Sequence, residues 1–92
     1  MDATAARLEG ELCFATVPGW LEQAERLVAA GTLDLSAVSR VDSAGLALLL
    51  ELDRLSRARG APLKIRGAGE QVRRLAAFFG LEPILRFETE ST

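Results

Sequence analysis

Leu33-Asp34-Leu35-Ser36-Ala37-Val38, followed two residues later by Val41-Asp42-Ser43-Ala44-Gly45-Leu46 and then by Leu48-Leu49-Leu50, decides how this chain folds. The alternating apolar residues of the first run predict a strand, and the leucine-rich run after Gly45 predicts an amphipathic helix. An acid, a hydroxyl and a glycine therefore fall at a strand-to-helix corner. Asp42 or Ser43 is placed to cap the new helix by accepting a bond from a first-turn N–H, and Gly45 leaves room for another chain to approach the backbone. A hydroxyl at a helix N-terminus also suits phosphorylation, because the free N–H groups and the positive dipole end stabilise a phosphate.

Working outward, Arg7 to Phe14 reads as two short strands or a hairpin turning at Gly10, with Leu8, Leu12 and Phe14 as its apolar contributions. Thr16 is placed to cap a first helix over residues 17–30, with Pro18 in its first turn and Trp20, Leu21, Ala24, Leu27 and Val28 at helical spacing until Gly31. The corner helix runs over about 43–59 and closes at Gly60, ahead of Pro62. Leu63 to Arg66 alternates as a strand, Gly67-Ala68-Gly69 turns, and Val72, Leu75, Ala76 and Phe79 mark a third helix ending at Gly80. Leu81, Ile84, Leu85 and Phe87 give a short closing segment. The order β-β-α-β-α-β-α predicts an α/β sandwich whose later strands run parallel with right-handed crossovers, in a mixed four- to five-stranded sheet with helices packed on it. The corner lies at the carboxyl end of a strand, the usual functional edge of such sheets.

The whole chain of 92 residues makes one domain, with residues 1–5 and 88–92 expected to be flexible. A net charge of −2 argues against nucleic acid as a partner. The N-terminus lacks the build of a signal peptide, and no run nears the ~20 apolar residues of a membrane span, so the expected location is the cytoplasm. With one cysteine and no histidine there is no internal disulfide, no Cys/His zinc cluster and no histidine-activated nucleophile. No catalytic residue, metal ligand or cofactor is assigned. Asp34 with Asp42 as a Mg²⁺ pair is a thin case, and Gly67-Ala68-Gly69 lacks the third glycine and the downstream acid of a dinucleotide site. Glu22, Glu25, Asp53 and Glu70 read as a solvated face.

Stepping ~100° per residue around the corner helix puts Leu48, Leu49, Leu52 and Leu55 toward the sheet. Leu46 and Leu50 point away from them, on the side of Ser43, Ala47, Arg54 and Arg57. That side reads as a docking surface, with Ser43, Leu46, Ala47 and Leu50 at its centre and Arg54 and Arg57 on its rim. Burial of both Leu46 and Leu50 within the monomer would defeat it.

The strand 33–38 followed by Val41-Asp42-Ser43-Ala44-Gly45-Leu46-Ala47-Leu48-Leu49 resembles the signature of the STAS domain, the module of anti-sigma factor antagonists and of the cytoplasmic tails of sulfate transporters. Within that family the chain is most similar to the stand-alone STAS subunits of Mla-type phospholipid ABC transporters. In anti-sigma factor antagonists the hydroxyl matching Ser43 is phosphorylated by a partner serine kinase, and a second hydroxyl usually stands where this chain has Ala44. In the transporter subunits the hydroxyl contributes to docking on the ATPase subunit, and alanine next to it is normal. The resemblance thus implies a protein that docks on an Mla-type ATPase through Asp42, Ser43, Ala44, Gly45, Leu46, Ala47, Leu50 and Arg54. It would meet the inner membrane's cytoplasmic face only through that complex and would not hydrolyse ATP itself. The alternative it implies is an anti-sigma factor antagonist regulated at Ser43.

Overall fold

A computed structural model describes residues 5–88. Eight elements follow one another: β1 (Ala5–Leu12), α1 (Val17–Leu21), α2 (Ala24–Ala30), β2 (Thr32–Val41), α3 (Ser43–Ala58), β3 (Lys64–Arg66), α4 (Glu70–Phe78) and β4 (Arg86–Phe87). The strands form one sheet in the order β1-β2-β3-β4, and each neighbouring pair is parallel. The sheet is therefore four-stranded and parallel among the described residues, where a mixed sheet was expected. Sequential strand order with right-handed crossovers sends every connection over the same face. Burial agrees, since Ala6, Leu8, Leu33, Leu35 and Ile65 are buried while the alternate residues Arg7, Glu9 and Lys64 are exposed.

The expected hairpin at Gly10 is instead one continuous strand. Register shifts between Arg7 and Glu9 and between Gly10 and Glu11 each set one extra residue of β2 against β1, so the bulges lie in β2, and Gly10 has φ 76°. The glycine supplies a left-handed backbone within a strand, a use that its sequence context does not separate from a turn. Because β1 itself carries no extra residue, Leu8 and Leu12 stay on one buried face.

The helix expected over 17–30 breaks at Glu22-Gln23 into α1 and α2. Pro18 does sit in the first turn, and Gly31 closes α2 at φ 80°. Thr16 occupies the cap position without capping. Its hydroxyl donates to the Glu11 carbonyl at 2.7 Å and accepts from the Cys13 N–H at 3.0 Å, folding the loop back on β1. Local loop bonds of this kind compete with the helix cap for the same side chain.

The core is aliphatic, with Leu12 and Val41 from the strand ends, Leu27 and Val28 from α2, and Leu46, Leu48, Leu49 and Leu52 from α3. Asp53 departs from the expected solvated face, being 2% exposed. Its Oδ1 accepts the Leu63 N–H at 3.0 Å and its Oδ2 accepts Arg57 Nε at 2.7 Å. Ser56, also buried, donates its hydroxyl to the Ala61 carbonyl at 2.7 Å. These two side chains tie the loop between α3 and β3 to the helix, and each buried polar group has its partner.

Of the ends expected to be flexible, residues 1–4 and 89–92 lie outside the described residues. Ala5 pairs with Thr32 in the sheet, and the Glu88 N–H bonds the Ile65 carbonyl at 2.7 Å.

Candidate functional site

The Asp42 corner stands at the carboxyl end of β2. Asp42 is the N-cap of α3: its Oδ1 accepts the Gly45 N–H at 2.9 Å, while Oδ2 accepts the Phe14 N–H at 3.2 Å from the loop after β1. The Gly45 bond, followed by that from Phe14, holds its carboxyl below the ordinary carboxylate value. The acid thus caps the helix and fastens a distant loop to it, which leaves the neighbouring hydroxyl of Ser43 exposed on the first residue of a 16-residue helix.

Gly45 serves an approach inside the chain. It is buried, and a Cβ added to it would lie 2.1 Å from the Leu12 carbonyl oxygen. Only glycine lets the first turn of α3 rest on the end of β1. The opening that the sequence suggests for a partner is filled by β1 itself.

Leu46 is 3% exposed and belongs to the core, contrary to the outward direction expected from helical spacing. Three residues from Leu49, it lies only ~60° around the helix from that core side chain, and it sits at the base of the groove walled by Phe79 and Leu81. Leu50 is half-buried and Ala47 is exposed, so the condition that would defeat the docking surface is not met. Ser43, Leu46, Ala47 and Leu50 line an open groove of about 270 Å³ whose other wall is Phe79 and Leu81. Leu46 forms its floor. Phe79, 51% exposed, meets Phe78 edge to face at 5.2 Å. Adjacent residues on a helix point ~100° apart, so the Phe78-Phe79 pair cannot both face the core. That doublet is the sequence signal for the second wall.

Ala44 is half-buried beside the cap. Arg54 lines the next hollow along the helix, on the far side of Leu50, and forms two bonds to Glu51, at 2.9 and 2.7 Å. Arg57 bridges Asp53 to the Ile84 carbonyl, the latter at 3.0 Å, and so links α3 to the loop before β4. Asp34 lies apart from all of these. It accepts the Ser36 N–H at 2.9 Å and approaches Arg66 Nη2 at 3.5 Å, and the Ser36 bond lowers its carboxyl first, with Arg66 adding to it. Its place near the start of β2 puts it roughly 25 Å from Asp42 along an extended chain, too far for the two to share a cation.

The corner, the groove and the α/β order meet in one comparison. The sequence pattern of the STAS domain matches residues 2–92. This chain belongs to the STAS domain family. Over 65 residues, which are 71% of this chain and 67% of the relative, it is 38% identical to the intermembrane phospholipid transport system binding protein MlaB of Escherichia coli. The Shigella flexneri MlaB matches to the same extent. Among solved structures the STAS fold is shared with SpoIIAA, an anti-sigma factor antagonist in its unphosphorylated form. The TM-score is 0.70 at 26% identity, covering 94% of this chain and 79% of that one. A Thermotoga maritima protein proposed as an anti-sigma factor antagonist superposes with a TM-score of 0.75 at 17% identity, over 95% of this chain and 81% of that one, a likeness of fold alone.

Proposed function

We propose that this STAS protein is a non-catalytic subunit that docks on the ATPase of an Mla-type phospholipid ABC transporter and supports the assembly and activity of that complex in maintaining outer-membrane lipid asymmetry. The observation that carries the reading is the open apolar groove at the corner, where Ser43, Ala47 and Leu50 face the exposed ring of Phe79. An aliphatic and aromatic centre with arginines in the adjoining hollow fits the make-up of a protein interface. The 38% identity to MlaB supports the same partner class. Among the described residues no helix is long and apolar enough to cross a membrane. In this reading the protein reaches the cytoplasmic face of the inner membrane through its partner.

Ala47→Arg is the sharpest test. Ala47 is exposed, so the substitution leaves the fold intact while placing a charge in the groove. Co-purification with an Mla-type ATPase subunit is expected to fall to background, and capture equal to wild type would overturn the reading. Leu46→Arg is unsuitable, because it would force a charge into the core.

One observation favours a second reading, regulation as an anti-sigma factor antagonist. The Ser43 hydroxyl is exposed at the N-terminus of a long helix, where a phosphate is stabilised, and SpoIIAA shares the fold. Phosphate incorporation at Ser43 by an anti-sigma serine kinase with ATP, lost in Ser43→Ala, would put that reading first. Absence of incorporation would remove it.

A further inference from the structure

β2 runs ten residues, but β3 covers only its first part: the paired residues end at Asp34 opposite Arg66. Beyond that point the β3-facing edge of β2 has lost its strand partner just where it leads into the corner. The gap at Val41 is closed by a side chain. Gln71, in the first turn of α4, accepts the Val41 N–H on Oε1 at 2.9 Å and donates from Nε2 to the Val41 carbonyl at 2.7 Å. A primary amide presents one acceptor and two donors in a plane, as a peptide group presents its own pair, so Gln71 stands in for one residue of a missing strand. On the opposite edge Val41 pairs with Leu12, and the Asp42 N–H bonds the Leu12 carbonyl at 3.1 Å. The residue immediately before the cap is therefore clamped from both sides.

The clamp also joins the two walls of the groove. Val41 leads directly into Asp42 and Ser43, and α4 leads at its far end into Phe79 and Leu81. Gln71 bonds these two segments directly, and α4 has no side-chain cap at Gly69. Nothing in the local sequence marks it, because a glutamine in the first turn of an exposed helix ordinarily faces water.

We infer that Gln71 is a positioning residue for the docking face, its amide setting the corner that carries Ser43 against the helix that carries Phe79. The inference rests on the docking reading above. Removing its two bonds frees the corner in the unbound protein, and affinity falls in proportion to the fraction of molecules that keep the docking geometry, about tenfold if one in ten does.

The test compares wild type, Gln71→Ala, Gln71→Met and Ala47→Arg. Binding to a purified Mla-type ATPase subunit is measured by calorimetry, and hydrogen exchange at the Val41 amide is measured in the free protein. Methionine keeps the length and helix propensity of glutamine but makes neither bond, so a packing role would be preserved in it and an amide role lost. In both Gln71 variants the Val41 amide is expected to exchange at least tenfold faster, the groove-facing signals of Ser43 and Phe79 to shift, and affinity to fall about tenfold. Unchanged exchange at Val41, or wild-type affinity in Gln71→Met while Ala47→Arg abolishes binding, overturns the positioning role. Wild-type affinity in Ala47→Arg overturns the docking reading instead, and the exchange and spectral measurements on the free protein then still decide whether Gln71 sets the corner.

Discussion

The two halves of α3 obey opposite rules. In the half from Ser43 to Leu50 the helix leaves apolar surface open, with Ala47 exposed and Leu50 half-buried beside Phe79. In the half from Glu51 to Ala58 it buries polar groups, Asp53 and Ser56, and holds the following loop with them. A helix in a two-layer domain ordinarily does the reverse in both places. The burial of Asp53 is fully accounted for inside the chain, since both its oxygens have partners. The open apolar strip has no such account among the described residues. The comparison teaches that on this helix a displaced polar residue marks architecture, and a displaced apolar residue marks an outward surface.

Substitutions at each end can break or sharpen that contrast. The largest effect is expected at Gly45, where a methyl group would meet the Leu12 carbonyl backbone, which has little freedom to move. Gly45→Ala should cost about 3 kcal/mol or more in urea unfolding; near-wild-type stability would mean that α3 does not rest on β1 as described. Next is Asp53→Ala, which leaves the buried Leu63 N–H without an acceptor and should cost about 2–3 kcal/mol. Asp53→Asn retains an acceptor for that N–H and is expected to lose less. If both variants were neutral, the architectural role of the second half would fall.

A smaller effect is expected from pH. Asp34 and Asp42 are both held below the ordinary carboxylate value by hydrogen bonds from backbone N–H groups, so the unfolded chain takes up their protons more readily than the folded one. The stability they contribute is complete above about pH 4 and is lost as pH falls through the depressed folded values. The melting temperature should therefore decline below about pH 4, and Asp42→Asn should flatten part of that decline. The smallest effect on stability belongs to Ala47→Arg, expected within about 0.5 kcal/mol of wild type while ATPase capture is lost. A large loss of stability in that variant would place Ala47 in the core and end the contrast between the halves.

Much of this was legible in the residues. The corner from Val41 to Leu46, the start of α3 at Ser43 and its end before Gly60 follow from alternation giving way to helical spacing, with an acid at the cap and a glycine after the last turn. The groove-lining Ser43, Ala47 and Leu50 follow from the same wheel. Three of the misreadings share one cause, that the same residue type satisfies two geometries. Gly10 fits a hairpin turn or a left-handed position inside a strand, and Thr16 fits a helix cap or a loop bond. Leu46 points outward on an isolated helix, yet it is buried at the base of the groove once the Phe79–Leu81 segment stands beside it.

The sequence by itself determined the succession of elements, the aliphatic core and the place of the corner, because periodicity and capping act over a few neighbouring residues. Tertiary structure alone decided which side chains stand in for missing backbone partners. Gln71 reaches Val41 across 30 positions, Phe14 reaches Asp42 across 28, and Asp53 holds Leu63 from ten residues away. Such bonds depend on where strands stop and on which backbone groups are left without a mate. That is settled only when the whole chain has packed.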